Sequence, residues 1–169
     1  MKKGLIIALA MIFGALQLNA QKVGYIDTEK ILKVIPEYKS AQTQLESLSE
    51  QYQSKIESEY SKIEVMYNNY QKQKATMSPQ ARAQKENEII EREQTVKQLQ
   101  MSYFGQDGLM QKKSAELLDP IKDKVNAAIE KVASSGGYMI LFDVAAMQGV
   151  AYKNVNDDLS PLVIKALGY

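Results

Sequence analysis

The chain of 169 residues contains no cysteine, no histidine and no tryptophan. Without cysteine there is neither a disulfide framework nor a thiol nucleophile. Without histidine the commonest general base is missing, and the two absences together remove the usual soft metal ligands. The sequence also lacks a phosphate-binding glycine loop, a nucleophile elbow and a calcium loop. We therefore predict that the protein is not an enzyme and uses no metal or cofactor.

Proline and glycine are scarce, and two long stretches lack both. These are the 42 residues between Pro36 and Pro79 and the 25 residues that follow Pro79. Stretches of this kind, rich in Gln, Glu, Lys, Ser and Tyr, favour long helices. Because the break between them lies at 77–79, we predict a helical hairpin over residues 39–118 with its tip there. A hairpin this polar cannot make a compact domain, so we expect it to project as an arm.

The predicted arm has the spacing of a coiled coil. Folding back at the bend pairs residues whose numbers sum to about 155, for example Tyr52 with Tyr103 and Ile56 with Leu99. Some polar residues also fall opposite apolar ones, so this register is defined only to within one or two residues. A seven-residue step runs along the second helix through Ile89, Val96, Tyr103, Met110 and Leu117.

The two chain ends are predicted to form one small body, residues 21–38 and 119–169, which makes the fold class α+β and mostly α. Its strands are expected at 22–27, 138–143 and 149–152. With about 70 residues the body has a marginal core, so we expect it to associate with copies of itself. The residues predicted to build the body and its subunit contacts are Val23, Tyr25, Ile26, Met139, Leu141 and Phe142.

Proline and glycine within the helical regions allow further predictions about where helices begin and end. Each of the four prolines is expected at the start of a helix, and Pro120 would begin the helix that closes at Gly136. Gly105 and Gly108 fall inside the predicted second arm helix, at a cost of about 1 kcal/mol each relative to Ala. They mark either a flexible point or a close helix contact.

Several apolar residues of the arm lie outside the predicted seam. They are scattered exposed residues, or they contact a neighbouring arm, or they form a dilute adhesive surface for apolar or unfolded polypeptide. Tyr and Met suit the second task, because they bind through contact area and adaptable shape. The residues assigned to this surface are Tyr60, Tyr67, Tyr70, Met77, Ile90 and Met101.

Charge near the predicted tip has one sign, since residues 65–85 include four bases and no acid. These bases either keep the tip solvated or attract acidic clients or an anionic membrane surface. Four charges are too few to indicate nucleic acid as a partner. The basic residues are Lys72, Lys74, Arg82 and Lys85.

Residues 1–20 have the features of a secretory signal, with two lysines, a short apolar stretch and a small residue at the exit. The apolar stretch is shorter than the roughly 20 residues that span a bilayer, and an uncleaved anchor is the alternative. Cleavage would change the formal charge from +1 to −1, because Lys2 and Lys3 would be lost. We expect an exported protein, which in a Gram-negative cell means the periplasm.

The order of these elements resembles one family. Its most informative parts are the block from Leu118 to Val132, the strand ending at Asp143, and the block from Asp157 to Leu167. With the preceding hairpin, these parts are similar to the Skp/OmpH family of periplasmic chaperones over essentially the whole chain after residue 20. The resemblance implies a homotrimer whose arms surround a cavity that holds unfolded outer-membrane proteins without ATP. The alternative function is a structural coiled-coil spacer or adaptor of the cell envelope.

Overall fold

The structure is a computed structural model that describes residues 22–169, and the predicted export signal lies outside the described residues. The fold is α+β and mostly α, as predicted. Two 3₁₀ turns, Lys74–Thr76 and Val155–Asp157, accompany the helices and strands. In chain order the helices and strands are β1 (Lys22–Ile26), α1 (Thr28–Lys33), α2 (Pro36–Gln73), α3 (Pro79–Phe104), α4 (Leu109–Gly136), β2 (Tyr138–Asp143) and α5 (Ser160–Leu167).

The described chain divides into two units. The first consists of residues 22–31 and Ala127–Tyr169, and we call it the terminal unit. The second, Leu32–Asn126, contains the long helices and is called the hairpin unit. The predicted body domain, residues 21–38 and 119–169, stays a prediction.

The hairpin unit reverses direction where the sequence predicted. Pro79 is the first residue of α3, a position at which a missing N–H leaves no intrahelical bond unmade. The Ser78 hydroxyl accepts a hydrogen bond from the Ala81 N–H at 3.2 Å and so caps the helix. The turn at Lys74–Thr76 joins this cap to the end of α2. The chain therefore doubles back between two helices with well-defined ends.

The two helices enclose a narrow apolar core. Its buried residues on α2, Ile56, Ile63 and Tyr70, follow a seven-residue step and meet Ile89 and Val96 of α3. The Tyr52 and Tyr103 rings stack with centroids 4.0 Å apart and planes 5° apart, which matches the predicted register. The seam is thus confirmed from Ile89 to Tyr103, together with the Tyr52–Tyr103 pair. The predicted continuation to Met110 and Leu117 lies beyond the end of α3. Around this core pack the partly buried side chains Met66, Met77, Leu99 and Tyr103.

The prediction of one helix across Gly105 and Gly108 is wrong. α3 ends at Phe104 and α4 begins at Leu109. The Gly105 N–H donates to the Met101 carbonyl at 2.8 Å, and the Gly108 N–H donates to the Gly105 carbonyl at 2.9 Å. A Cβ on Gly108 would lie 2.8 Å from the Gly105 and Tyr103 carbonyl oxygens, so the break is a close backbone approach.

The predicted helix start at Pro120 is also wrong, because α4 runs through this residue. Proline inside a helix removes one hydrogen bond and crowds the preceding turn. The boundary lies instead at the glycines, the poorest helix formers after proline. Asp119 does not serve as a cap, and its carboxylate pairs with Lys122 at 3.1 Å.

In the terminal unit, β1 and β2 pair in parallel, with Val23 opposite Ile140 and Tyr25 opposite Phe142. Parallel strands need a long crossover, and here the chain between them includes the whole hairpin unit. Gly24 is buried in β1, where a Cβ would approach Leu141 and Leu159 to 3.1 Å. The small sheet therefore packs closely at this point.

The predicted third strand at 149–152 is wrong. The sheet has only two strands in the described residues, and this segment does not join it. On its other side, β1 is already covered by the segment before α5, since the Leu159 N–H donates to the Tyr25 carbonyl at 2.9 Å. Residues 149–152 are all exposed, with Tyr152 at 85 %, so little burial would hold this segment in a sheet.

Polar contacts join the ends of the terminal unit. The Thr28 hydroxyl donates to Asp143 at 2.7 Å, and the Asp27 N–H donates to the buried Ser160 hydroxyl at 2.9 Å. Asp158 accepts from the Ser160 N–H at 2.9 Å, a local contact two residues along the chain at the start of α5. These aspartates therefore have structural partners. Within residues 22–169 there is no cluster of three potential metal ligands and no helix long and apolar enough to cross a membrane.

Candidate interaction surface

Four of the predicted surface residues are exposed on the hairpin unit. Tyr60 and Tyr67 lie seven residues apart on one face of α2, with 40 % and 50 % of their surface exposed. On α3, Ile90 and Met101 lie eleven residues apart, about three turns, and are 49 % and 66 % exposed. These side chains are outside the seam and are available to a partner.

Tyr70 is not part of this surface, contrary to the prediction. Only 4 % of the residue is exposed, because it continues the buried seven-residue step of Ile56 and Ile63. Its hydroxyl donates to the Glu86 carboxylate, and the Lys74 ammonium lies 5.4 Å from its ring centre. The hydrogen bond to Glu86 raises the pKa of the Tyr70 hydroxyl, and burial raises it further. The seven-residue spacing of Ile56, Ile63 and Tyr70 was the sequence signal that could have identified Tyr70 as a core residue.

Met77 is also less available than predicted. Its side chain is partly buried and packs against the apolar core where the hairpin turns. It lies beside an open groove on α3 that is lined by Ala81, Gln84 and Lys85. Only part of its surface can therefore face a partner.

The basic residues near the bend are partly neutralised. Lys85 pairs with Glu88 at 2.6 Å, one helical turn on, and Lys74 lies 3.7 Å from the carboxylate of Glu86. These acids follow the all-basic stretch directly, so a count ending at residue 85 missed them. Lys72 and Arg82 have no carboxylate within ion-pair distance in residues 22–169. The Arg82 Nε is buried without a hydrogen-bond partner.

A charged group inside the seam escaped the sequence analysis. Glu59 is buried, with 9 % of its surface exposed, and accepts hydrogen bonds from Lys62 at 2.7 Å and from Arg92 of α3 at 2.8 Å. It lies three residues after Ile56 and four before Ile63, which is a seam position. Only the Glu59 carboxylate is buried, and Arg92 is exposed. Their ion pair joins α2 to α3 and would be lost in a shifted register, whereas the contact with Lys62 lies within α2. The spacing of Glu59 from Ile56 and Ile63 was the sequence signal that could have identified it as a seam residue.

The Glu59 cluster predicts an acid-sensitive hairpin. The hydrogen bond from Lys62, with the charges of Lys62 and Arg92, lowers the pKa of Glu59 below its usual value of 4.5. A lowered pKa in the folded state contributes stability above pH 4.5 that is lost as the pH falls through the folded pKa. Thermal denaturation at several pH values should show a smaller loss on acidification for Glu59→Gln than for the wild type.

Glu57→Gln is the matched control, since Glu57 is exposed on the same helix. Its denaturation midpoint should change with pH as the wild-type midpoint does. Equal acid sensitivity of Glu59→Gln and the wild type would show that this cluster does not stabilise the hairpin.

The terminal unit exposes a second set of apolar residues. Of the predicted body residues, Tyr25 and Ile26 are buried, and Leu141 is partly buried. Val23, Met139 and Phe142 are each 45 to 56 % exposed. The sequence analysis did not identify the other exposed apolar residues of this unit, which include Ile140, Met147, Val150, Tyr152 and Val155.

A coiled-coil hairpin with exposed Tyr, Ile and Met side chains offers contact area and adaptable shape to another polypeptide. The family model described as "Outer membrane protein (OmpH-like)" matches residues 22–167. The chain therefore belongs to the OmpH-like family.

Individual relatives agree with this assignment. The chain is 26 % identical to the chaperone protein Skp of Yersinia enterocolitica over 147 residues, which cover 87 % of this chain and 86 % of that protein. The fold is similar to the crystal structure of an OmpH-like outer membrane chaperone from Caulobacter crescentus, with a TM-score of 0.64 and 14 % identity. That match covers 87 % of this chain and 83 % of the other. Membership of this family supports a chaperone role.

Proposed function

We propose that the protein is an ATP-independent periplasmic holdase that binds unfolded outer-membrane β-barrel proteins. The observation that carries this proposal is the family match over residues 22–167, in a chain whose hairpin unit exposes Tyr60, Tyr67, Ile90 and Met101 outside its core. Such side chains make many weak contacts with apolar surface and require no fixed client sequence. A client that folds buries its own apolar groups, loses these contacts and leaves, so nucleotide hydrolysis is not needed.

We also propose that the working form is a homotrimer with the client in a cavity between the arms. The exposed apolar side chains of the terminal unit support self-association, because strand β2 carries Met139, Ile140 and Phe142 at 42 to 56 % exposure. Apolar side chains concentrated on so small a unit are characteristic of an association surface. The number three and the cavity rest on the family resemblance.

Client attraction is a further part of the proposal. Lys72 and Arg82, the two tip bases without an ion-pair partner in residues 22–169, would attract acidic segments of a client over about 8–10 Å. The same charges would give weak contact with an anionic membrane surface. The exported location rests on residues 1–20.

The test is suppression of aggregation when a urea-denatured outer-membrane protein is diluted into buffer without ATP. The wild type should suppress light scattering by several unrelated outer-membrane proteins at stoichiometric amounts. Tyr60→Ser with Tyr67→Ser should suppress it less, because two aromatic rings that are partly exposed are removed from the surface.

Tyr60→Phe with Tyr67→Phe is the matched control, since it keeps the apolar area and should protect as the wild type does. Helical circular dichroism should be the same for all three proteins. A wild type that ignores unfolded clients and retains a single folded partner would contradict the holdase proposal and favour the envelope adaptor.

A further inference from the structure

Exposed apolar side chains are concentrated where α3 ends. Met101 is 66 % exposed and Phe104 is 40 % exposed. They lie three residues apart, so they share one face of the helix. Leu109, the first residue of α4, is 45 % exposed on the other side of the break.

The aromatic side chains at this point are held in place. The Tyr103 ring stacks on Tyr52 of α2, and Phe104 meets the same Tyr52 ring edge-on, with centroids 6.2 Å apart and planes at 84°. Edge-on pairs of this kind are favourable ring arrangements. Phe104 therefore presents its exposed part from a fixed orientation, and a partner would pay little entropy to order it.

The break that follows is closed by its own hydrogen bonds. Besides the Gly105 and Gly108 contacts, the Asp107 N–H donates to the Gln111 side-chain oxygen at 2.9 Å. Asp107 takes a left-handed conformation with φ 60°, which aspartate tolerates better than most residues. The backbone is thus satisfied locally, and the exposed groups beside it are side chains.

The region also lacks charge on both helices. Residues 98–106 contain no charged side chain, nor do residues 51–54, which include Tyr52, although 24 % of the chain is charged. The Tyr52–Tyr103 stack brings these two stretches together. We call them the uncharged band. Interface cores are depleted in charge and enriched in aromatic residues and Met, because no ion then has to lose its water.

We propose that the uncharged band binds an extended, uncharged segment of unfolded polypeptide that carries apolar side chains at alternate positions. This rests on the proposed holdase function and names where on the hairpin unit such a segment binds. Membrane-spanning strands of β-barrel proteins have this chemistry, with about 9–11 residues and alternating apolar side chains. A charged segment gains nothing here, since the band offers no opposite charge.

The experiment uses two peptides of about ten residues, the length of a barrel strand. Both alternate Leu or Val with Ser or Thr, and the second carries two Lys and two Asp in place of Ser. Binding to the full protein is measured by fluorescence anisotropy. Met101→Ser with Phe104→Ser should bind the uncharged peptide about fivefold more weakly, as expected for loss of a few apolar contacts, and the charged peptide as before.

Val65→Ser is the matched control, because Val65 is 58 % exposed on α2 outside the band and should bind both peptides as the wild type does. Met101→Ser alone is the second variant, since Met101 takes no part in the aromatic stack and its loss should leave the melting curve unchanged. It should still weaken binding of the uncharged peptide.

Equal binding of the uncharged peptide by the wild type and both band variants would overturn the proposal, as would an equal loss in Val65→Ser. The aggregation assay separates this failure from that of the holdase function. A wild type that protects unfolded clients together with band variants that protect equally well overturns the band alone. A wild type that protects none overturns both.

Discussion

Val96→Asp should strongly destabilise the hairpin unit. Only 1 % of Val96 is exposed, and it lies within the apolar core that joins α2 and α3. An uncompensated buried charge costs about 3–5 kcal/mol, a large part of the roughly 5–15 kcal/mol that stabilises a typical domain. Arg92, four residues earlier, already donates to Glu59. The new carboxylate would therefore add a second negative charge close to that of Glu59. Thermal denaturation followed by circular dichroism should show helix loss at a much lower temperature.

Val65→Asp provides the same chemical change at an exposed position of α2. Surface substitutions of this kind usually change the free energy of unfolding by no more than about 0.5 kcal/mol. Its melting curve should therefore lie close to that of the wild type. If Val96→Asp melted together with Val65→Asp, the buried seam would not be what holds the two helices together.

Ile31→Ala should strongly destabilise the terminal unit. Ile31 has no exposed surface, and truncating a buried Ile to Ala costs about 2–5 kcal/mol. Helix α1 has only six residues, too few to persist without packing against its surroundings. Urea denaturation should give a much lower midpoint for the variant, with all proteins compared at one concentration because self-association would shift the midpoint.

Ile31→Val is the control, since it removes a single methylene and should cost about 0.5–1.5 kcal/mol. The three midpoints should fall in the order wild type, Ile31→Val, Ile31→Ala. Coincident midpoints for Ile31→Ala and the wild type would mean that this side chain contributes no packing energy.

The amino-acid sequence alone predicted the long helices, their bend and their seam. These features depend on local rules, since breakers end helices and a seven-residue step defines one face whatever lies opposite. The helix start at Pro79 and the Tyr52–Tyr103 pair were found on this basis, and the structure confirms both. The order of elements also indicated the family that the comparison establishes.

Only the tertiary structure decided which side chains are buried and where the elements end. Tyr70 and Tyr67 are both aromatic residues on α2, yet one is 4 % exposed and the other 50 %, because only Tyr70 points at α3. The segment 149–152 has the composition of a strand, but its residues are all exposed and it joins neither strand of the sheet. Only the structure showed that Arg92 of α3 lies opposite Glu59 and pairs with it. Burial and pairing depend on residues distant in sequence, which local patterns do not specify.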